Sequence, residues 1–162
     1  MAVEIERKFL VVGDQWRNDV EQSTHIVQGY LASAARATVR VRIKGDDAFL
    51  TIKGRTEGIS RSEYEYRIPV EDARAMLAEL AQGPVIDKVR HLVPSAGHVW
   101  ELDVFAGDNE GLVMAEVELS SDDEAVDLPD WAGVEVSDDD RYYNVNLAAR
   151  PYRTWGLAPT DS

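Results

Sequence analysis

The chain has 162 residues, 44% hydrophobic and 29% charged, with a formal net charge of −13 and no cysteine. That length suits one domain with a substantial core, while the acidity argues against the broad basic surface that nonspecific nucleic-acid binding needs. Disulfides and thiolate chemistry are excluded, no apolar run reaches the roughly 18 residues of a membrane span, and the first residues lack the basic region and apolar core of a secretory leader, so a cytoplasmic protein without membrane or nucleic-acid partners is expected.

Residues 3–10 alternate in character, and alternate side chains of a strand point to opposite faces. Glu4, Glu6 and Lys8 therefore share one face, and Ile5, Arg7 and Phe9 share the other. Two carboxylates about 7 Å apart beside a lysine suit a metal and anion site, but one such strand is more often a solvated face. A turn at Gly13 and Asp14 leads into a short helix, and a strand over 24–31 carries Gln28 and Tyr30. The strand Ala37–Lys44 sets Thr38, Arg40, Arg42 and Lys44 against Val39, Val41 and Ile43. A Gly45-Asp46-Asp47 hairpin follows, then a strand over 48–55 with Thr51, Lys53 and Arg55 together, and one over 61–70 with Glu63, Glu65 and Arg67 together.

The period then changes. Ala73, Met76, Leu77 and Leu80 recur at helical spacing, which predicts an amphipathic helix over 71–81 that ends near Gly83 and Pro84. Strands resume over 85–93 with Lys88 and Arg90, over His98–Phe105 with Glu101 and Asp103, and over 112–120 with Glu116 and Glu118. An acidic loop over 121–130, a short element at 133–136 and a helix over 141–150, started by Ser137 and the acids after it, complete the predicted domain, 1–157; residues 158–162 read as a frayed tail.

Eight strands joined mostly by short turns predict an antiparallel barrel or sandwich. Within the predicted strands acidic pairs two apart occur four times, at Glu4/Glu6, Glu63/Glu65, Glu101/Asp103 and Glu116/Glu118, and basic pairs occupy other strands. On a dry core face such charges would be prohibitive. An outer surface would not need acids and bases sorted by strand, so the sorting favours a wet tunnel lined by charge, with the apolar faces turned outward onto helices. Arginine forks match phosphate oxygens, and carboxylates bind Mg²⁺ or Mn²⁺, which bridges phosphates. A polyanion with a divalent metal accounts for both walls.

The opening Glu4-Ile5-Glu6-Arg7-Lys8 resembles the ExExK signature of the CYTH, or triphosphate tunnel metalloenzyme, superfamily. It is joined by Gln28-Gly29-Tyr30-Leu31, Arg40-x-Arg42, Lys53, Glu63-x-Glu65, Lys88-x-Arg90, Glu101-Leu102-Asp103, Glu116-x-Glu118 and Arg141-Tyr142-x-Asn144 in the family's order. The chain looks most like the short bacterial tripolyphosphatases. The resemblance implies an α+β, mainly β fold: an eight-stranded antiparallel barrel forming a charged tunnel, with a few helices outside and a C-terminal helix at one end. It implies metal-dependent hydrolysis of tripolyphosphate to pyrophosphate and phosphate, with weaker action on nucleoside triphosphates. Class IV adenylate cyclase, thiamine triphosphatase and a non-catalytic polyphosphate-binding module are the alternatives, in a monomer or homodimer.

On that reading Lys8, Arg40, Arg42, Lys53, Lys88 and Arg90 hold the phosphates, and Glu4, Glu6, Glu116 and Glu118 hold Mg²⁺ or Mn²⁺. Glu4 and Glu6 with Lys88, Tyr30, Glu63 and Glu65 form the expected catalytic set, in which Tyr30 packs or orients Lys88 or water, and Glu63 and Glu65 bind a second ion or orient water. Glu101 and Asp103 are read equally as metal groups or as partners of the basic residues. Lys44, Arg55, Arg61 and Arg67 are expected at solvated or salt-bridged strand ends, Asp139 and Arg141 at a tunnel mouth, and Arg7 and the three histidines at the surface.

Overall fold

A computed structural model describes residues 2–156, so the tail predicted at 158–162 lies outside the described residues. The strands are β1 (Ala2–Val11), β2 (Gln22–Ser33), β3 (Ala37–Lys44), β4 (Asp47–Gly54) and β5 (Ser60–Ile68). Helix α1 (Val70–Leu80) precedes β6 (Ile86–Ser95), β7 (His98–Phe105), β8 (Val113–Glu118) and β9 (Ala132–Glu135), and α2 (Asn144–Ala149) ends the regular structure. The spatial order β5-β4-β3-β2-β6-β7-β8-β1 closes because β1 also pairs with β5. Every pairing is antiparallel, which gives the predicted eight-stranded barrel.

β1 makes the closure. Along one edge its residues 6–10 pair with β8, while its residues 2–5 take β5 on the other edge. Beyond that point β5 has left, and β9 covers β1 at Phe9 and Val11. Between the two partners the Lys8 N–H donates to the Ser137 hydroxyl at 2.9 Å and the Lys8 carbonyl accepts from the Val136 N–H. The short element predicted at 133–136 is thus a ninth strand outside the barrel proper, and it satisfies an edge that would otherwise lie open.

The apolar faces turn outward and are covered there. Phe9, Trp100 and Leu102 meet Trp16 and Trp131 from the connecting segments, whereas Tyr30, Ile86, Phe105 and Met114 share the inward parity of Gln28, Lys88, Asp103 and Glu116 and pack inside one end of the barrel against Tyr142 and Leu147. Over β2–β4, α1 lays Ala73, Met76 and Leu77 against Val41 and Ala48. This contact is close enough to require glycine: a Cβ on Gly29 would stand 2.8 Å from Leu77 Cδ2 and 3.2 Å from Ala81 Cβ. Gly29→Val is expected to lever α1 off the barrel and destabilise the fold by about 1–3 kcal/mol, the usual range for overpacking. Urea unfolding would measure this, and an unchanged midpoint would refute the close packing.

Local predictions needed correction at three ends. The helix after Asp14 is a single 3-10 turn, Gln15–Asp19. β5 stops at Ile68 because Pro69 holds an extended backbone (φ −62°, ψ 142°) from which α1 starts at Val70. The helix predicted over 141–150 is broken: a 3-10 turn, Asp140–Tyr142, precedes the shorter α2, and Asp139 rather than Ser137 caps that turn by accepting the Arg141 N–H at 3.1 Å. Among the described residues no helix is long and apolar enough to cross a membrane.

Candidate active site

The barrel encloses a cavity of about 240 Å³ lined by eight basic and seven acidic side chains. A chain with a formal net charge of −13 thus keeps its interior slightly basic. Register explains how the wall is organised. β3 sits between β2 and β4, so Arg42 lies opposite Gln28 on one side while Arg40 lies opposite Thr51 and Thr38 opposite Lys53 on the other. β4 aligns Lys53 with Glu63 and Thr51 with Glu65. β6 aligns Arg90 with Asp103, and β1 aligns Lys8 with Glu116 and Glu6 with Glu118. Because every one of these residues has the same parity on its strand, closure aims them all inward.

The tunnel pairs part of its charge internally. Glu4 accepts from Lys53 at 2.7 Å and from Arg61 at 3.1 Å. Burial works to raise the Glu4 carboxyl, but Lys53 and Arg61 outweigh it and hold the group well below the usual carboxylate range. Asp103, 1% exposed, takes Arg90 in a fork at 2.8 and 2.9 Å and Lys88 at 2.7 Å. Burial would raise its carboxyl, yet these two cations lower it. This resolves the open reading of Asp103 in favour of pairing, and Glu101 joins by accepting from Arg90 at 3.1 Å.

Other groups have partners that do not suffice. Burial, then Glu116 and Glu4, push the Glu6 carboxyl well above its ordinary value. Glu116 itself is kept low, since Lys8, Arg90 and Lys88 overcome its burial. Lys88 is 1% exposed, and burial lowers it to about 7, with Arg90 and Arg42 adding to the effect against Asp103. Burial with Arg40 and Arg90 nearby lowers Arg42 to about 9. Among the described residues Arg42 makes no ion pair, and the Arg40 Nε is buried with no hydrogen-bond partner. Both guanidiniums retain unmet capacity for an anion.

The structure brings all the predicted catalytic, phosphate-binding and metal-binding residues to this one cavity. Tyr30 lines it at 7% exposure while also packing in the cluster around Leu147. Glu65 is 43% exposed at its side chain, which places it at an open end. Arg61 and Lys44 belong to the lining although both were assigned to strand ends, whereas Arg55 and Arg67 pair outside with Glu57 and Asp47. Asp139 and Arg141 pair with each other at 2.6 Å and do not line the cavity; Tyr143, Asn144 and Val145 meet it instead. The sequence signal for those three was the Arg141-Tyr142-x-Asn144 match, read one turn too early.

Among the described residues no three carboxylate or imidazole groups are gathered as a ready metal cluster. The donor set nevertheless fits a hard divalent cation. Glu4, Glu6, Glu116 and Glu118 offer oxygen atoms on adjoining strands β1 and β8. Glu116 disfavours a charge on Glu6, a repulsion that a bound cation would relieve. Glu118 is the most open of the four, and burial, then Glu101 and Glu4, raise its carboxyl.

A closed antiparallel barrel lined inside by basic and acidic side chains is a charged tunnel, suited in its chemistry to a polyanion with a cation. The chain belongs to the CYTH domain family, whose profile matches residues 2–152. It is 44% identical over 155 residues to an inorganic triphosphatase of Acetivibrio thermocellus, covering 96% of this chain and 99% of that one. It is 39% identical over 150 residues to an inorganic triphosphatase of Nitrosomonas europaea, covering 90% and 96%. A crystal structure of an inorganic triphosphatase superposes with a TM-score of 0.66 at 37% identity, over 91% of this chain and 95% of that one.

Proposed function

We propose that the protein is a metal-dependent inorganic triphosphatase that hydrolyses tripolyphosphate to pyrophosphate and orthophosphate. The observation that carries this reading is the cavity lining. Of its twenty residues only Tyr30, Tyr143 and Val145 offer aromatic or apolar surface. A linear phosphate needs nothing more, whereas a nucleobase or a thiazole ring calls for an apolar slot. The similarity to two inorganic triphosphatases over nearly their whole length supports the same choice.

Arg40, Arg42, Lys53, Lys88, Arg90 and Lys8 hold the phosphate oxygens, with Arg40 and Arg42 the least satisfied before substrate arrives. Glu4, Glu6, Glu116 and Glu118 would hold Mg²⁺ or Mn²⁺, which would supply neutralisation of phosphate charge and polarisation of the phosphorus. Glu63 and Glu65, near the open end, orient the attacking water, and Tyr30 lines the wall opposite Arg40. The water oxygen forms a bond to the terminal phosphorus, the bridging P–O bond breaks, and its electrons leave on pyrophosphate. Lys88, lowered to about 7, can carry a proton during that exchange. Such transfer needs chiefly positioning and charge neutralisation.

The test incubates purified protein with tripolyphosphate, ATP or thiamine triphosphate, each with Mg²⁺ or Mn²⁺. Phosphate release is expected chiefly from tripolyphosphate and none in EDTA. Cyclic AMP from ATP without phosphate release would overturn the assignment, and binding without turnover would leave only a binding module.

A further inference from the structure

Four side chains from four different elements form one continuous chain of hydrogen bonds behind the phosphate-binding wall. Arg42 Nε on β3 donates to Gln28 Oε1 on β2 at 2.6 Å. Gln28 Nε2 donates to Asn144 Oδ1, at the start of α2, at 3.0 Å. The same Asn144 oxygen accepts from Lys88 Nζ on β6 at 2.9 Å. Gln28 is wholly buried, and its backbone pairs with Arg42 on one side and Ile86 on the other, so the central strand fixes its position.

This amide pair does something an ion pair could not. Arg40 and Arg90 both repel Arg42, and among the described residues no carboxylate lies within ion-pairing distance of it. A neutral acceptor holds the guanidinium by Nε and leaves its positive charge undiminished and its two terminal nitrogens available to an anion. Asn144 then ties that aim, and the aim of Lys88, to the docking of α2 at the end of the tunnel.

We propose that Gln28 and Asn144 are positioning residues, a neutral amide relay through which the C-terminal helix aims Arg42 and Lys88 at the phosphate chain. The inference rests on the triphosphatase reading, since it concerns how that site grips its substrate.

The test measures tripolyphosphate binding by calorimetry in excess EDTA, so that affinity is read without turnover. Wild type, Gln28→Met, Arg42→Met and the double variant are compared, with near-UV circular dichroism as a check of folding. Loss of a hydrogen bond to a charged group should make Gln28→Met bind about tenfold more weakly. Because Gln28 acts through Arg42, the double variant should bind no more weakly than Arg42→Met alone. Unchanged affinity in Gln28→Met, or losses that add in the double variant, would overturn the proposal. Should Gln28→Met fail to fold, Asn144→Ala replaces it: weaker binding that disappears as a separate effect in a Lys88→Met background supports the relay, and unchanged affinity refutes it. Wild-type protein that neither binds nor hydrolyses tripolyphosphate would sink the triphosphatase reading and this one together, whereas binding by wild type with an unaffected Gln28→Met sinks this one alone.

Discussion

Glu6→Gln is expected to abolish tripolyphosphate hydrolysis while leaving the metal-free protein at least as stable as wild type. The two effects share one cause. In the metal-free tunnel the Glu6 carboxyl is pushed up by burial and by Glu116 and Glu4 beside it. A carboxyl raised above its ordinary 4.5 costs stability progressively as pH rises from that value through its folded pKa, because the folded state there binds the proton that the unfolded state has lost. At pH 8 the glutamine removes that cost. It also removes a charged oxygen that a divalent cation requires, and the loss in turnover should be on the order of a hundredfold or more. Thermal melts check both halves. Mg²⁺ should raise the melting temperature of wild type but not that of Glu6→Gln, and the metal-free variant should melt no lower than metal-free wild type. A variant within threefold of wild-type turnover, or one still stabilised by Mg²⁺, would remove Glu6 from the metal set.

The second large effect is structural. Asp103→Ala leaves Arg90 and Lys88 both buried and without their shared carboxylate, because Glu101 reaches Arg90 only at its exposed side and Asn144 offers Lys88 a neutral oxygen. Breaking a buried pair from one side costs about 3–5 kcal/mol, which for a chain of this size lowers the melting temperature by roughly 10 °C. The sign with pH follows from the lowered Asp103 carboxyl. Its contribution is fully present above the ordinary value of 3.8 and is lost as pH falls through the folded value beneath it. The part of the gap that comes from Asp103 should therefore shrink in strong acid. Denaturant midpoints measured at pH 7 and below pH 3 test this, and a gap below about 1 kcal/mol at pH 7 would mean that water or Glu101 satisfies the two cations.

These predictions depend on parts of the molecule that were unequally legible in the chain. The strand faces were plain, because a period of two sorts Glu4, Glu6 and Lys8 from Ile5 and Phe9 without regard to what lies around them. Arg61 sits near the start of β5 and is salt-bridged, as its place at a strand end suggests; only closure of β5 onto β1 makes Glu4 its partner and brings it to the cavity lining. Asp103 was ambiguous because a carboxylate two residues from another reads alike as a metal group or a partner; the β6–β7 register put it opposite Arg90. The C-terminal helix was drawn too long because acids at 138–140 suggest a helix start, whereas Asp139 spends its side chain capping a 3-10 turn and pairing with Arg141.

The sequence by itself determined an antiparallel barrel or sandwich whose strands carry charge on one face and apolar groups on the other, since alternation and the sorting of acids from bases are local properties of each strand. Only the tertiary structure decided which charges meet. Ion pairs, the crowding of Glu6 against Glu116 and the amide chain from Arg42 to Lys88 depend on cross-strand register and on where β1 changes partners. Those distances join residues far apart in the chain, and electrostatic energy at such range is set by ångströms that no local pattern records.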